Sequence, residues 1–531
     1  LKTLHIMSHA RRTLFLATLA CVLYTALALP PCARDDEDCR ESRMHPDLPD
    51  LPQGRILPRK IDGDDTNDYW RNQGKEFIQT KMAQKLNTQK AKNVILFLGD
   101  GMGLTTHSAA RNLIGGEEQY LSFEKFPYTG LSKTYAVDVI VSDSANTATA
   151  FLCGVKAMKG TIGLSAQVER DDCAATLNTT NHVHSIAKWA MDAGKSAGVV
   201  TTTRITHASP AGAYAHTADR DWEDDTEVKG DCGADTTVQD IAYQLIHGEV
   251  GSKLSFMMGG GKRHFIDSKL YENGTRSDGL DLIDQYKKIS DRNAFVESRT
   301  ELNNLNFSNV DRVLGIFSDS HLQYHLETDA NSRQPTLEEM TRKAIEFLSR
   351  NEEGYFIFIE GGRIDTAHHD NMARLALDEV VEFSKAINAA RELTSEEDTL
   401  IVVTADHSHA FSYSGYPYRG NDIFGRTPST PGDSKPLMTL SYANGPSFEK
   451  FYDVTNKERR DPTTLVTGDV HDQFPATAPL DSETHGGDDV AVFASGPWAH
   501  LFTGVYEQNT IPHMMAYASC LSDGLTVCST A

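Results

Sequence analysis

Positive charge is scarce in this chain of 531 residues, which has 51 Lys and Arg side chains against 74 Asp and Glu and a formal net charge of −23. Nucleic-acid binding is therefore not expected, because proteins that hold a phosphodiester backbone need a basic surface. An acidic surface also repels small anions at long range. Any phosphate chemistry would consequently need local positive charge from metal ions or arginine.

The sequence also offers little that could cross a membrane. The apolar run at 14–29 is shorter than the roughly 20 residues that a span needs. It follows a basic pair and contains the small residues Ala26 and Ala28, so residues 1–29 are predicted to be a secretory signal region. Residues 30–67 are rich in Pro and Asp and are predicted to form a mobile arm.

A secretory route changes the interpretation of the eight cysteines, because an oxidising compartment permits disulfides. One cysteine leaves with the signal region, and the spacing of the other seven leaves several pairings open. They form two close pairs, one widely spaced pair and a remainder: Cys32 with Cys39, Cys520 with Cys528, Cys173 with Cys232, and Cys153. Three N-x-S/T sequons agree with an extracellular glycoprotein and begin at Asn178, Asn273 and Asn306.

Short apolar runs alternate with helical patterns along the chain, which is typical of an α/β fold with a mostly parallel sheet. Length alone permits several domains or one large domain. Strands are predicted at 93–98, 198–202, 355–359 and 400–403, and helices at 68–86, 240–246, 337–349 and 372–393. From 412 to about 482 the chain is rich in Gly, Pro, Tyr and Ser, which predicts an irregular insertion.

Side chains that commonly bind metals follow these predicted strands. Ligands of open α/β sheets bind at the carboxyl ends of strands, so we expect these side chains to converge. They are Asp100, Glu360, Asp365, Asp406 and His407. His369 lies one helical turn after Asp365, and His485 is a further candidate. Mixed carboxylate and imidazole ligands suit zinc, whereas oxygen ligands alone suit magnesium.

Ser144 is the candidate nucleophile, because it lies among small residues at the start of a predicted helix. A serine in this position is usually only a helix cap. A zinc ion and the positive end of the helix could instead stabilise its alkoxide without a histidine base. The sequence around it lacks G-x-S-x-G, which disfavours a serine esterase.

Five motifs in this order resemble those of animal alkaline phosphatases, and the resemblance runs from about Tyr69 to Leu521. The motifs are GDGMG at 99–103, DSA at 143–145, EGGRID at 360–365, ADHS at 405–408 and ETH at 483–485. The resemblance implies a large, mostly parallel sheet with helices on both faces. It also implies hydrolysis of phosphate monoesters through a phosphoserine intermediate, with an alkaline optimum.

The resemblance further implies a centre with two zinc ions and one magnesium ion. One zinc would be held by Asp365, His369 and His485. The second would be held by Asp406, His407, Asp100 and the oxygen of Ser144. Magnesium would be held by Asp100, Ser209 and Glu360, with His207 nearby. Arg220 would clamp the phosphate, and Asp143 would support the centre from beside the nucleophile.

Four positions depart from the family pattern. Asn146 replaces a very small residue and could crowd the helix or bind phosphate. Thr366 replaces a histidine beside the zinc ligands. Ser318 and Gln334 stand where the family has calcium-binding carboxylates, so calcium is not expected.

The resemblance also has implications for the disulfide pairing, the domains, the subunit assembly and the cellular location of the protein. It implies disulfides Cys173–Cys232 and Cys520–Cys528 with Cys153 free, a catalytic domain over 68–531, and a crown over about 419–482. The helix at 68–86 would embrace a second subunit in a homodimer. The protein is expected to be secreted, or held at the cell surface by a glycolipid if the C-terminus is truncated. The alternatives are a phosphodiesterase or sulfatase on the same scaffold, and a non-catalytic surface receptor or binding protein.

Overall fold

The computed structural model describes residues 61–329, 331–428, 431–521 and 525–528. The predicted signal region, residues 30–60 of the predicted arm, and the pair Cys32 and Cys39 lie outside these residues. Within them, one sheet of ten strands forms the centre of the molecule. Its strands are β1 (Asn93–Gly99), β2 (Tyr128–Lys133), β3 (Ser196–Arg204), β4 (Phe256–Gly260), β5 (Asn293–Val296), β6 (Arg312–Ile316), β7 (Tyr355–Gly361), β8 (Thr399–Ala405), β9 (Val490–Ser495) and β10 (Gly504–Glu507).

The strand order is β10-β2-β9-β8-β1-β7-β3-β4-β6-β5. The run from β8 to β5 is parallel, whereas β9 pairs antiparallel with both β8 and β2. The predicted α/β fold with a mostly parallel sheet is therefore confirmed. Each of the four predicted strands corresponds to a central strand, namely β1, β3, β7 or β8.

Helices cover the sheet and connect its strands. The longer ones are α1 (Asn67–Ala83), α2 (Leu104–Leu113), α3 (Ser144–Cys153), α4 (Ile186–Asp192), α5 (Asp225–Cys232), α6 (Ile241–His247), α7 (Leu282–Ile289), α8 (Arg299–Asn304), α9 (Leu337–Leu348), α10 (Arg363–His369), α11 (Ala373–Leu393) and α12 (Ile511–Ser519). The described residues include no helix with the length and apolar character of a membrane span.

The alternation of side chains along β1 explains why both faces are covered. Leu96 and Leu98 face one apolar cluster that includes α3, α4 and α12, while Ile95 and Phe97 face a second that includes α9 and α11. Successive strand residues point to opposite faces, so an entirely apolar strand requires helices on both. This arrangement leaves the ends of the strands as the place for polar chemistry.

The region of the predicted crown contains short paired strands rather than a layer of its own. They are Phe411–Tyr413 with Leu440–Tyr442, and Tyr452–Asp453 with Glu458–Arg459. The implied disulfides Cys173–Cys232 and Cys520–Cys528 are both present, and Cys153 is free and buried.

Candidate active site

The carboxyl ends of three neighbouring strands bring the predicted acids together. In the register of the sheet, Gly99 of β1 lies beside Gly361 of β7 and Ala405 of β8. Asp100 and Asp406 immediately follow their strands, and Glu360 is the penultimate residue of β7. All three side chains are fully buried. Buried charges of one sign are costly unless cations compensate them.

Ser144 is the first residue of α3 and lies among these acids. Its Oγ is 3.5 Å from Oδ1 of Asp100 and 3.2 Å from Nε2 of His407. The preceding residue, Asp143, caps the helix, and Asp143 and Asn146 bond to each other's backbone N–H. Asp143 therefore caps the helix, and the Ser144 hydroxyl is not needed for capping. This hydroxyl lies at the positive end of the helix.

A second group gathers around Asp365 on α10. His369 Nε2 and His485 Nε2 each lie 3.4 Å from Oδ1 of Asp365, and the two nitrogens are 3.1 Å apart. Burial raises the pKa of the Asp365 carboxyl, but the surrounding histidines outweigh it and hold that pKa well below its usual range. Three ligand atoms at this spacing could bind one ion.

Two residues of this group were missed by the sequence interpretation. His409 Nε2 lies 2.9 Å from Oδ1 of Asp365, and its Nδ1 lies 2.5 Å from Oε2 of Glu483. Burial lowers the pKa of His409, but the two carboxylates prevail and raise it to about 9. The spacing could have revealed both, because His409 and Glu483 are each two positions from a predicted ligand and residues i and i+2 of an extended chain share a face.

A third group surrounds Glu360. Its Oε2 accepts hydrogen bonds from Thr201 and, at 3.0 Å, from Thr203, while its buried Oε1 has no partner among the described residues. Burial and the nearby Asp406 raise the pKa of Glu360 to about 7. Ser209 Oγ lies 3.5 Å from Oδ2 of Asp100, so Asp100 stands between this group and Ser144.

Arg220 supplies a cationic side chain beside the nucleophile. Its guanidinium donates to Oδ2 of Asp143 at 3.0 Å and to Nε2 of His207 at 3.2 Å. Burial lowers the pKa of Arg220, but the Asp143 carboxylate has the larger effect. The pKa of the guanidinium therefore lies above its usual value, and Arg220 stays charged. Burial and the charge of Arg220 lower the pKa of His207, which keeps that imidazole neutral.

The departures from the family pattern have defined contacts. The Asn146 side chain accepts from the Asp143 N–H at 3.0 Å. Thr366 Oγ1 lies 3.2 Å from the Tyr324 hydroxyl and accepts from Arg363 at 3.0 Å. Gln334 accepts from the Gln323 N–H at 2.8 Å.

Comparison with known proteins decides the family. The alkaline phosphatase family model matches residues 91–521. Human alkaline phosphatase, tissue-nonspecific isozyme, is 48% identical over 483 residues, which cover 87% of this chain and 90% of that protein. Membrane-bound alkaline phosphatase of Bombyx mori is 45% identical over 512 residues, which cover 92% of each. The chain belongs to the alkaline phosphatase family.

Solved alkaline phosphatases share the fold at lower identity. The enzyme of the Antarctic bacterium TAB5 is 24% identical with a TM-score of 0.56, and covers 82% of this chain and 100% of that one. The Thermus thermophilus enzyme is 21% identical with a TM-score of 0.59, and covers 88% of this chain and 96% of that one. These structures show the shared fold. The family model and the curated relatives show that the chain is a phosphoric monoester hydrolase, and they favour that activity over the receptor and phosphodiesterase alternatives.

Proposed function

We propose that this alkaline phosphatase attacks phosphate monoesters with Ser144 at a centre of two zinc ions and one magnesium ion. The observation that carries the proposal is a buried serine hydroxyl at a helix start, within 3.5 Å of both an acid and a histidine. The proposed ligands are Asp365, His369 and His485 for one zinc; Asp406, His407, Asp100 and Ser144 for the other; and Asp100, Ser209 and Glu360 for magnesium.

The chemistry of the site fits bound cations. Burial and the neighbouring carboxylates, Asp406 foremost among them, raise the pKa of Asp100 well above its usual value, which shows how unfavourable the uncompensated charges are. The unpartnered Oε1 of Glu360 has a lone pair available for an ion. A phosphate dianion would also be repelled by these acids unless cations outnumbered them locally. The two proposed ligand sets that contain histidine suit zinc, and the proposed ligand set without histidine suits magnesium.

The residues of the chain then have distinct roles. Ser144 forms the new bond to phosphorus as the bond to the leaving oxygen breaks, which produces a phosphoserine that water hydrolyses. The positive end of α3 favours the serine oxyanion. When bound, the metal ions would neutralise the phosphoryl oxygens and stabilise the attacking and leaving oxygens.

Arg220 is proposed to bind the phosphoryl group rather than to transfer protons. Asp143 and His207 orient its guanidinium, which has five N–H donors in a fixed fork and retains donors for phosphate oxygens. Because the contacts are to the phosphate, many alcohols could serve as leaving groups.

The test is hydrolysis of a chromogenic aryl phosphate from pH 6 to 11 by wild type, Ser144→Ala and Ser142→Ala. Ser142 is the matched control, because its buried hydroxyl has no hydrogen-bond partner among the described residues. We expect activity that rises into the alkaline range, is lost on chelation, and returns when zinc and magnesium are both added. Acid-quenched wild type should carry phosphate on Ser144.

Three outcomes would contradict the proposal. Retained turnover in Ser144→Ala would exclude this nucleophile, and full activity in protein shown by elemental analysis to be free of zinc would exclude the metal centre. Inactivity of fully metallated wild type would instead favour the binding-protein alternative.

Assembly and location form a second part of the proposal. We infer a homodimer in which α1 contacts the partner subunit, because none of the α1 side chains is buried in one subunit. The signal-like segment and sequons support an extracellular location, either secreted or held by a glycolipid. Calcium is left out of the proposal, because Ser318 and Gln334 bring no carboxylate.

A further inference from the structure

Three histidines meet at a place that shares no residue with the catalytic centre. His182 and His184 belong to the extended segment before α4, and His216 lies in the loop that leads to Arg220. The rings of His182 and His216 are stacked with centroids 4.4 Å apart, and the ring of His184 stands edge-on to His216 at 5.4 Å. All three side chains are half-buried.

The nitrogens of this histidine cluster (His182, His184 and His216) are open to a ligand. His182 Nε2 lies 2.8 Å from the Thr176 carbonyl, which can only accept, so Nε2 carries the proton and Nδ1 keeps its lone pair. A metal-binding histidine is typically oriented by such a bond to a carbonyl. His184 Nδ1 is buried and has no partner among the described residues.

His216 is held in the form that a metal requires. Burial, with His182 and His184 close by, lowers the pKa of His216 to about 3, so its imidazole is neutral at physiological pH. A hydrogen bond to the Val183 backbone opposes this lowering only in part. Within the described part of the chain, no carboxylate pairs with any of the three rings. The cluster therefore offers nitrogen donors without an intrinsic counter-charge.

The spacing of the rings matches that of histidines in the catalytic centre. His369 and His485, which point Nε2 atoms at each other 3.1 Å apart, have ring centroids 4.9 Å apart. The two separations in the histidine cluster lie on either side of this value. The ring of His182 is nearly parallel to that of His216, at 7°, so the side chains must rotate out of this stack for their nitrogens to share an ion.

We propose that His182, His184 and His216 form a second metal site, for a divalent transition ion that prefers imidazole. A set of neutral nitrogen donors disfavours magnesium and calcium, which prefer oxygen. Among first-row divalent ions such a set binds Cu²⁺ most tightly. A bound ion would tie the segment before α4 to the loop that carries Arg220.

The experiment titrates Cu²⁺ into tag-free holoenzyme already saturated with zinc and magnesium. Electron paramagnetic resonance reports the nitrogen ligands, and elemental analysis checks that catalytic zinc stays bound. Wild type should bind one Cu²⁺ with nitrogen hyperfine splitting. His182→Gln and His184→Gln, which keep the size and polarity of the site, should each weaken this binding at least about tenfold. His471→Gln, at an exposed histidine elsewhere, is the matched control.

The readouts separate this site from the catalytic one. Phosphatase activity before Cu²⁺ addition should be the same in all four proteins, which verifies folding. The proposal is overturned if wild type gives no nitrogen-ligated Cu²⁺ signal, if the signal appears only as zinc is displaced, or if His182→Gln and His184→Gln bind Cu²⁺ as tightly as His471→Gln.

Discussion

At the scale of single residues, Asn146 shows how a position that looks damaging can be structural. Its side-chain oxygen accepts from the Asp143 N–H, while the Asp143 carboxylate is held by Arg220 and by the Gly160 N–H at 3.1 Å. Asn146→Ala should therefore cost about 1 kcal/mol of stability, the usual value of a capping interaction, and leave kcat within about twofold. Thermal unfolding and steady-state kinetics measure the two effects.

Asn146→Ser keeps an acceptor near the helix start and serves as the control for Asn146→Ala. A tenfold fall in activity at unchanged stability would contradict the capping role. It would favour the alternative that Asn146 binds the phosphate.

His409 is expected to act on the metal centre through Asp365. Its bonds to Asp365 and Glu483 fix the direction of the Asp365 carboxylate, and losing such an orienting partner usually weakens metal binding by about 10–100-fold. His409→Ala should therefore lose zinc at a lower chelator concentration than wild type, as measured by zinc content after dialysis in chelator buffers.

The comparison variant is His368→Ala, at a buried neighbour whose ring lies 4.8 Å from that of His409 but bonds to Thr106 and Tyr442 instead. It should retain zinc like the wild type. Equal zinc loss from both variants would mean that His409 only fills space.

At the scale of elements, prediction from sequence succeeded where burial makes the pattern simple. The central strands β1, β3, β7 and β8 are buried on both faces and appear as continuous apolar runs. The edge strands β5 and β10 are short and partly exposed, so they have no such pattern. Strand β9 is as apolar as the central strands and could have been found, but its antiparallel direction could not.

The same contrast holds for the site. The family motifs predict Asp365, His369 and His485 by position. The bond from His409 to Asp365 depends instead on how the loop after β8 pairs with His485–Gly486. The histidine cluster could not be predicted from the sequence either, because His216 is distant in sequence from His182 and contacts it only in the folded chain.

Helix α11 contains a buried acid that should make stability depend on pH. Burial, helped by the nearby Asp378, raises the pKa of Glu379 to about 7. The His325 N–H, which donates to Glu379 at 2.7 Å, and the charge of Arg363 offset only part of this rise. Because this pKa lies above the unfolded value, its stabilising contribution is complete at acid pH and is lost as pH rises through 7. Between pH 5.5 and 8 the loss should be about 2 kcal/mol.

Glu379→Gln keeps an acceptor for the His325 N–H and removes the titration. Chemical unfolding of the holoenzyme at pH 5.5 and pH 8 should therefore show a smaller pH dependence in the variant than in wild type. Glu352→Gln, at an exposed glutamate, should behave like wild type. The same pH dependence in all three proteins would show that Glu379 does not titrate in this range.

At the scale of the whole molecule, α1 is proposed to serve assembly rather than the fold of one subunit. It has 17 residues, none of them buried, and its contacts with the remainder include a bond from Lys81 to the Pro127 carbonyl at 2.8 Å. An isolated helix of this length is only marginally stable in water. Its large apolar side chains Trp70, Phe77, Ile78 and Met82 are each more than half exposed, which favours a partner surface.

The solution assembly therefore tests the role of α1. We expect wild type to sediment as a dimer and the double variant Phe77→Glu with Ile78→Glu to dissociate at a protein concentration at least about tenfold higher, because each charge would have to be buried in the interface. The double variant Gln73→Glu with Gln79→Glu adds the same charge to polar positions of α1 and should remain dimeric. A monomeric wild type, or equal dissociation constants for both variants in analytical ultracentrifugation, would show that α1 does not join two subunits.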